Sequence, residues 1–491
     1  MFNVLPAQDL VLAKRLPTTY GLIMKALYYP YLLLLFIVLL SQTSLMGVSI
    51  SNKAGKTINV EILEIEPNRI FIHLENGNKV WLDLDRLSEE SQQMIAELEI
   101  EPEPGLTFEA INSLLGLQFM KDNSLWDDKP GSVAERLGWP LESQTDNQSG
   151  YRYYTPEAYS VLGTRAYTCT LYGIEGVTDR VSIIFANKGD FPFSSEPTKA
   201  EIKSMKAAIE SDEQALIARL SDVLGEPVRQ SFGGSGSLRE RIQRWDWNGH
   251  AFMLASQPGE YVSLRITSSE NADRRGRGER FSDSTLRKLT ASNVTKSENG
   301  DVLIRNIPMV DQGPKGYCVP ATFERYLRYM QIPADMYILA MAGQTEIGGG
   351  TYLTKLIESV EGYLSSQNRS LKRMRETIDV RMIQKYVDDG LPIIWTMFSS
   401  REYNQYANQR TLTRRSVTDW DSWEKQLKKE ERDLEFGKDL KAAHACMITG
   451  YNEITDEIAV SDSWGPEYEE RWISVEHAQQ VSQGFIYLIS F

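Results

Sequence analysis

The residue in this sequence best placed for chemistry is a cysteine at the start of a predicted helix. Cys318 follows a glycine-rich loop, and the residues behind it are apolar at helical spacing: Phe323, Tyr326, Leu327 and Met330. Pro320 falls in the first turn, where its missing N–H costs no hydrogen bond. The positive end of the helix dipole favours the thiolate, the form that attacks carbonyl carbons.

To catalyse attack on a carbonyl, a cysteine needs a base, a group that orients the base, and hydrogen-bond donors for the negative oxygen that forms. The chain has only four histidines, and His444 lies among small and apolar residues that predict a strand. A second strand, residues 458–462, follows after a turn. If the hairpin folds about Glu453, His444 falls opposite Asp462, with Cβ atoms about 4.5–5.5 Å apart.

This pairing would let Asp462 fix the tautomer of the imidazole, so that its other ring nitrogen faces Cys318. A register shifted by one residue would offer Ser461 or Ser463 instead. Trp464 follows the carboxylate and would shield the His444–Asp462 bond from water.

The remaining cysteines and histidines are expected to be structural. Three cysteines do not make a disulfide framework, although a Cys169–Cys446 bridge is an alternative in an oxidising compartment. Otherwise Cys169 packs as a small hydrophobic side chain, and Cys446 packs beneath the site on the strand face of His444. Structural or surface positions are expected for the other histidines, which are His73, His250 and His477.

Gln312, Cys318, His444 and the run Asp462-Ser463-Trp464-Gly465, in this order, resemble the papain-like cysteine peptidases. The similarity is greatest to the bacteriocin-processing double-glycine peptidases and covers about 190 residues. It implies that Cys318 is the nucleophile, His444 the general base and acid, and Asp462 its orienter. It also implies an oxyanion hole made by the Gln312 side-chain amide and the Cys318 backbone N–H.

One position departs from that pattern. The family usually has Gly-Pro after the cysteine, whereas this chain has Val319-Pro320, which would narrow the approach beside the thiol. The sequence has no H-E-x-x-H, paired C-x-x-C or phosphate loop, so no metal, nucleotide or other cofactor is predicted.

The composition is that of a globular protein. Of the 491 residues 42% are hydrophobic and 24% charged, and the length predicts several domains. The formal net charge of −14 argues against nucleic acid as a partner.

The N-terminus predicts export. Residues 24–47 have the layout of a signal peptide, with Lys25 before an aliphatic run and small or polar residues after it. A single uncleaved membrane anchor over residues 27–48 is the alternative. Either interpretation places the protein outside the cytoplasm, in the periplasm or secreted, with or without a tether to the inner membrane.

We expect an α+β multidomain protein with three folded regions. Residues 49–95 alternate with period two and resemble the Sla-homology small β-barrel of bacterial envelope proteins, which implies an envelope-protein partner. The acidic, proline-containing residues 97–104 predict a linker.

Residues 106–268 predict a middle α+β domain of unknown role, with a helix over Lys199–Leu224. Its expected strands are Tyr151–Tyr154, Ala166–Tyr172, Arg180–Ala186, Arg241–Trp247, His250–Ser256 and Tyr261–Thr267. The polar residues 268–301 predict a second linker. For residues 302–491 the resemblance implies a papain-like cysteine peptidase fold.

A charged insertion, residues 399–441, separates a buried strand from the His444 strand. Its part over residues 421–434 predicts a solvated helix with a Glu424–Lys428 pair. A surface excursion is favoured over a lid or substrate shelf.

The predicted function is an exported cysteine peptidase that cleaves peptide or protein substrates through an acyl-enzyme on Cys318. Two alternatives stay open. One is a transglutaminase-like or amidase enzyme that uses the same triad, and the other is a catalytically degenerate papain-like binding protein.

Overall fold

The computed structural model describes residues 47–66, 68–74, 79–97, 106–191, 197–234, 236–276, 280–347 and 349–491. The chain divides into two compact units between Gly105 and Leu106. Nearly all of the predicted signal peptide or anchor, and most of the first linker, lie outside the described residues. Within the part that the structure describes, no helix is long and apolar enough to cross a membrane.

The first unit is a four-stranded antiparallel sheet followed by a helix. Strands β1 (Val48–Ser51), β2 (Thr57–Glu66), β3 (Arg69–Leu74) and β4 (Lys79–Asp83) pair in chain order, and α1 (Glu89–Glu97) follows. Its core contains Ile50, Val60, Ile62, Ile70, Ile72, Leu87 and Ile95. The resemblance to a Sla-homology barrel stays a prediction.

The first part of the second unit contains an eight-stranded sheet. Helices α2 (Phe108–Leu115) and α3 (Pro130–Leu137) precede it, and the 26-residue helix α4 (Lys199–Leu224) packs on it. Its strands are β5 (Leu141–Gln144), β6 (Gln148–Tyr154), β9 (Thr168–Ile174), β10 (Val177–Asn187), β11 (Val228–Gly233), β12 (Arg239–Trp247), β13 (His250–Gln257) and β14 (Tyr261–Ser268). They pair in the order β11-β12-β13-β14-β10-β9-β6-β5. Two short strands, β7 (Ser160–Val161) and β8 (Thr164–Arg165), form a separate hairpin.

The prediction of a linker over residues 268–301 is wrong. The segment contains α5 (Ser269–Asp273), α6 (Asp283–Ser292) and β15 (Val294–Lys296), and β15 pairs with β16 (Asp301–Ile304). Helix α6 is capped by the Ser282 hydroxyl and buries Leu286 and Thr290. Because few apolar side chains anchor this helix, the polar composition of the segment concealed it.

The C-terminal region is built on a second mixed arrangement of helices and sheet. The helices are α7 (Cys318–Tyr329), α8 (Met336–Ala342), α9 (Leu353–Ser366), α10 (Val380–Val387), α11 (Arg401–Arg414), α12 (Trp420–Asp433) and α13 (Val475–Val481). The further strands are β17 (Ser370–Arg375), β18 (Ile393–Phe398), β19 (Ala443–Asn452), β20 (Glu457–Ser461), β21 (Arg471–Ser474) and β22 (Ser482–Ser490). The sheet runs β15-β16-β19-β18-β22-β17, and β20 joins β19 to β21.

The middle and C-terminal regions pack together within the second unit. A small apolar cluster joins Ile184 of β10 to residues around α7 and α8: Val310, Tyr317, Ala321, Met336, Tyr337 and Ala340. The middle region therefore contacts the residues on both sides of the predicted nucleophile.

The insertion over residues 399–441 is a packed part of the C-terminal region. Helix α11 buries Tyr403 and Ala407 together with two arginines, and α12 buries Trp423 and Leu427. Arg410 and Arg414 both bond the fully buried Glu457 on β20, at 2.8 and 3.0 Å. The inner faces of α11 and α12 thus brace the strands that carry the predicted site.

Candidate active site

Cys318 is the first residue of α7, as the sequence predicts. Its side chain is partly exposed, whereas the body of the helix is buried. Tyr317 precedes the helix and provides no side-chain cap. The first backbone N–H groups of a helix have no acceptor within it, so the Cys318 N–H is a natural donor to an anion.

The Nε2 atom of His444 lies 2.8 Å from Asp462 Oδ1. The structure therefore brings together the two residues that the sequence pairs, and both are buried. With Nε2 bonded to the carboxylate, Nδ1 is the ring nitrogen left for the Cys318 thiol, which interacts with His444 through a hydrogen bond and through charge.

The register expected to produce this contact is wrong. Met447 pairs with Ser461 and Asn452 with Glu457, so the turn lies over residues 453–456 rather than about Glu453. Strand β20 ends at Ser461, and its register, if extended by one residue, would place Asp462 opposite Cys446 rather than His444. A bulge between Ile448 and Gly450 shifts the pairing, and the sequence alone gives no signal for it.

Arg471 on β21 holds the other oxygen of the Asp462 carboxylate. Its Nε and Nη2 atoms lie 2.8 and 2.5 Å from Asp462 Oδ2. Its Nη1 atom donates to Asn404 and Asn408 on α11, at 3.0 and 3.2 Å. A planar guanidinium with several fixed donors can orient a carboxylate in this way, so α11 and β21 together fix Asp462.

Trp464 covers the histidine. Its ring stacks on the His444 ring with centroids 4.7 Å apart and planes inclined by 30°. The guanidinium of Arg471 lies 5.0 Å from the centroid of the same indole. The indole of Trp464 therefore stacks on the imidazole, in the position expected for a side chain that shields the His444–Asp462 bond from water.

The electrostatics of the site favour a thiolate–imidazolium pair. Burial alone would raise the pKa of Cys318, but the hydrogen bond and charge of His444 outweigh it and lower that pKa. Burial alone would lower the pKa of His444, but Asp462 and Cys318 raise it to about 9. Burial likewise opposes ionisation of Asp462, and Arg471 and His444 nevertheless lower its pKa.

Gln312 is buried on a loop tied to the segment that follows Asp462. Its backbone N–H donates to the Ser463 carbonyl at 2.9 Å, and its side-chain Nε2 donates to the Lys315 carbonyl at 2.9 Å. A primary amide has two N–H groups, so one remains for an oxyanion. The buried Oε1 atom has no hydrogen-bond partner among the described residues.

Two side chains of α7 fix the helix against the strands of the triad. Arg325, fully buried, donates to the Pro308 carbonyl at 2.9 Å and to Ser461 Oγ at 2.6 Å. Thr322 donates to the Ala445 carbonyl at 3.2 Å, next to His444. These bonds set the distance from the nucleophile to the histidine and the carboxylate.

The other cysteines and histidines lie outside this constellation. Cys169 and Cys446 are buried free cysteines, and burial raises the pKa of each thiol. His250 and His477 are buried among aromatic rings, and His73 pairs with Glu61 in the first unit. No group of three or more His, Cys, Asp or Glu side chains among the described residues is arranged to hold a metal ion.

Residues 304–488 match the family model described as the Peptidase_C39 like family. This match supports a C39-type papain-like cysteine peptidase domain in the C-terminal part of the chain. The C39-like match supports a cysteine peptidase type of function and a peptide or protein substrate, as the resemblance implies. A search of curated proteins gave no match to the chain.

Sequence reasoning missed Arg471, Arg325 and Lys315, which hold the C39-like site together. A signal was present for Arg471, because Arg471-Trp472-Ile473 predicts a buried strand and a buried charge requires a partner. Lys315 gave no such signal, since a lysine between Pro314 and Gly316 is typical of an exposed turn.

Proposed function

We propose that this protein is a peptidase that cleaves peptide bonds with a Cys318–His444–Asp462 triad. The observation that carries the proposal is a chain of buried hydrogen bonds that links Arg471 to Asp462 and Asp462 to His444. His444 in turn lowers the pKa of the Cys318 thiol. An inert buried cysteine would have a raised pKa, as Cys169 and Cys446 do.

The first half of the reaction forms the acyl-enzyme. The Cys318 thiolate attacks the scissile carbonyl carbon, a C–S bond forms, and the carbonyl π electrons move to oxygen. The Gln312 amide and the Cys318 N–H stabilise this oxyanion. As the intermediate collapses, the C–N bond breaks and the His444 imidazolium gives its proton to the leaving amine.

The second half returns the enzyme to its resting state. His444 takes a proton from water, and the resulting hydroxide attacks the thioester carbon. The C–S bond then breaks, the acid product leaves, and the thiolate–imidazolium pair is restored. Asp462, held by Arg471, keeps His444 in one tautomer through both halves.

The decisive test measures hydrolysis of a peptide library by the full chain, with products identified by mass spectrometry. The account expects cleavage by the wild type and its loss in Cys318→Ala, with Cys446→Ala as the matched control that retains cleavage. Equal cleavage by wild type and Cys318→Ala would exclude Cys318 as the nucleophile.

The same assay separates the alternative reactions. With a primary amine added, a transglutaminase-like enzyme transfers the acyl group to the amine, whereas a peptidase releases the acid. A degenerate binding protein gives neither product and retains peptide without turnover.

Export and an envelope-protein partner for residues 49–95 belong to the same proposal. They rest on the charge and hydropathy layout of residues 24–47 and on the period-two pattern of residues 49–95. N-terminal sequencing of the protein from fractionated cells tests export. A start within residues 41–50 supports a cleaved signal, and an intact N-terminus in the membrane fraction supports an anchor.

A further inference from the structure

The middle region contacts the loop between the proposed oxyanion donor and the nucleophile. Lys315 lies between Gln312 and Cys318, and its side chain is 1% exposed. Its ammonium pairs with Asp190, which follows β10 in the middle region. A buried lysine needs such a counter-ion, because an unpaired charge in that position would be strongly destabilising.

The second oxygen of Asp190 extends the contact to the residue before the nucleophile. Asn187 Nδ2 donates to Asp190 Oδ2 at 2.9 Å, and Tyr317 Oη donates to Asn187 Oδ1 at 2.9 Å. A Cβ added to Gly189 would lie 2.7 Å from the Tyr317 hydroxyl, so only glycine lets the Tyr317 ring approach this closely. One carboxylate therefore fixes both Lys315 and Tyr317.

Aromatic rings complete the enclosure of Lys315. Its Nζ atom lies 5.2 Å from the ring centroid of Tyr154 and 5.4 Å from that of Tyr337. Tyr154 also donates to the Asp311 carbonyl at 2.6 Å, on the other side of Gln312. Burial lowers the pKa of Lys315, and the charge of Asp190 opposes that effect.

The backbone of Lys315 transmits this constraint to the oxyanion donor. Its carbonyl accepts both the Gln312 Nε2–H at 2.9 Å and the Tyr317 N–H at 2.8 Å. The side chain of Lys315 is held by Asp190, so the position of this carbonyl depends on the ion pair. The orientation of the Gln312 amide then depends on the middle region.

We propose that Asp190 is a positioning residue that orients the Gln312 amide of the oxyanion hole through Lys315. This inference rests on the proposed peptidase function and deepens it. It gives the middle region a role, because Asp190 of that region holds Lys315 and thereby completes the oxyanion hole of the C39-like domain.

Two electrophiles of different kinds test the proposal on the full chain. Iodoacetamide alkylates a thiolate without an oxyanion, whereas a peptide aldehyde forms a hemithioacetal whose oxygen occupies the oxyanion hole. In Asp190→Asn we expect the alkylation rate of Cys318 to stay within about twofold of wild type. Affinity for an N-acetylated peptide aldehyde, selected on the wild type, and kcat should each fall about tenfold to a hundredfold.

Two further variants separate positioning from a general loss of structure. Asp190→Glu keeps the carboxylate and should retain most of the aldehyde affinity that Asp190→Asn loses. Glu260→Gln breaks a nearby ion pair with Lys188, at 2.7 Å. Because Lys315 pairs with Asp190 and not with Glu260, this variant should leave both reactions unchanged.

The inference is overturned if Asp190→Asn loses both reactions equally, or loses neither, while wild type performs both. A wild-type chain that alkylates but neither binds any peptide aldehyde nor hydrolyses peptides contradicts the proposed peptidase function itself. The two failures are therefore distinct.

Discussion

Arg471 donates two hydrogen bonds to the oxygen of Asp462 that His444 leaves free. Cys318, His444, Asp462 and Arg471 thus form a row of alternating charges when the first two exist as thiolate and imidazolium. The row is neutral as a whole, which makes its burial tolerable. Its cohesion depends on a residue outside the triad.

Replacing Arg471 should impair both activity and stability. Arg471→Met leaves a buried carboxylate with one partner fewer, and we expect unfolding to become about 3–5 kcal/mol easier. Arg471→Lys keeps the charge but loses the paired N–H donors of the planar guanidinium. A milder loss of stability and about a tenfold fall in kcat are therefore expected.

The pH profile of the Arg471→Lys variant adds a specific signature. Arg471 holds the pKa of Asp462 low. A weaker interaction between residue 471 and Asp462 raises that pKa and moves the acid limb of kcat/KM to higher pH. Arg305→Met, which breaks a half-exposed pair with Glu470 at 2.9 Å, is the control and should change little. An unmoved acid limb in Arg471→Lys would contradict this role.

Trp464 should protect the His444–Asp462 hydrogen bond from water. Trp464→Ala removes the ring that stacks on His444 at 4.7 Å, and we expect kcat to fall about tenfold because water weakens the bond. Trp464→Phe keeps a ring and should retain most of the activity. Comparable kcat values for the Ala variant and wild type would show that the stack has no catalytic effect.

Hydrolysis and alkylation should diverge at alkaline pH. The imidazolium must protonate the leaving amine, so hydrolysis should decline as pH rises through the His444 pKa of about 9. Alkylation needs only the thiolate and should not decline there. The test is to measure the rates of hydrolysis and of alkylation side by side from pH 5 to 10. A decline of both rates at alkaline pH would contradict the assignment of His444 as the acid.

The sequence predicted the components of the site better than their arrangement. Gln312, Cys318, His444 and Asp462 are brought into one region because residue type and order constrain such sites strongly. The hairpin register failed because the turn spans residues 453–456 instead of centring on Glu453, and the bulge after Ile448 then shifts the pairing by one residue. Residues 269–301 were misjudged because Arg369 and Tyr329, distant in sequence, hold that segment through Asp283 and Asn293.

His250 should make the middle region sensitive to acid. The residue is 1% exposed, neither ring nitrogen has a partner among the described residues, and burial lowers its pKa to about 4 from 6.5. The unfolded chain therefore takes up the proton first as pH falls. Stability should be full above pH 6.5 and decrease by about 3 kcal/mol as pH falls towards 4.

Denaturant unfolding of His250→Phe measures this contribution. The phenylalanine ring suits a site beside Trp126 and Trp247, and it carries no proton to titrate. The variant should lose less stability than wild type between pH 6.5 and 4. An identical acid dependence in the two proteins would show that His250 is not the group responsible.

Thiol labelling of the native full chain tests the central claim most directly. Iodoacetamide at pH 6, followed by peptide mapping, should label Cys318 selectively and leave Cys169 and Cys446 unmodified until the protein is denatured. In His444→Ala the native labelling of Cys318 should fall at least tenfold while labelling after denaturation stays unchanged. Native Cys318 that labels no faster than the two buried cysteines, or equally fast without His444, would contradict a catalytic thiolate at this site.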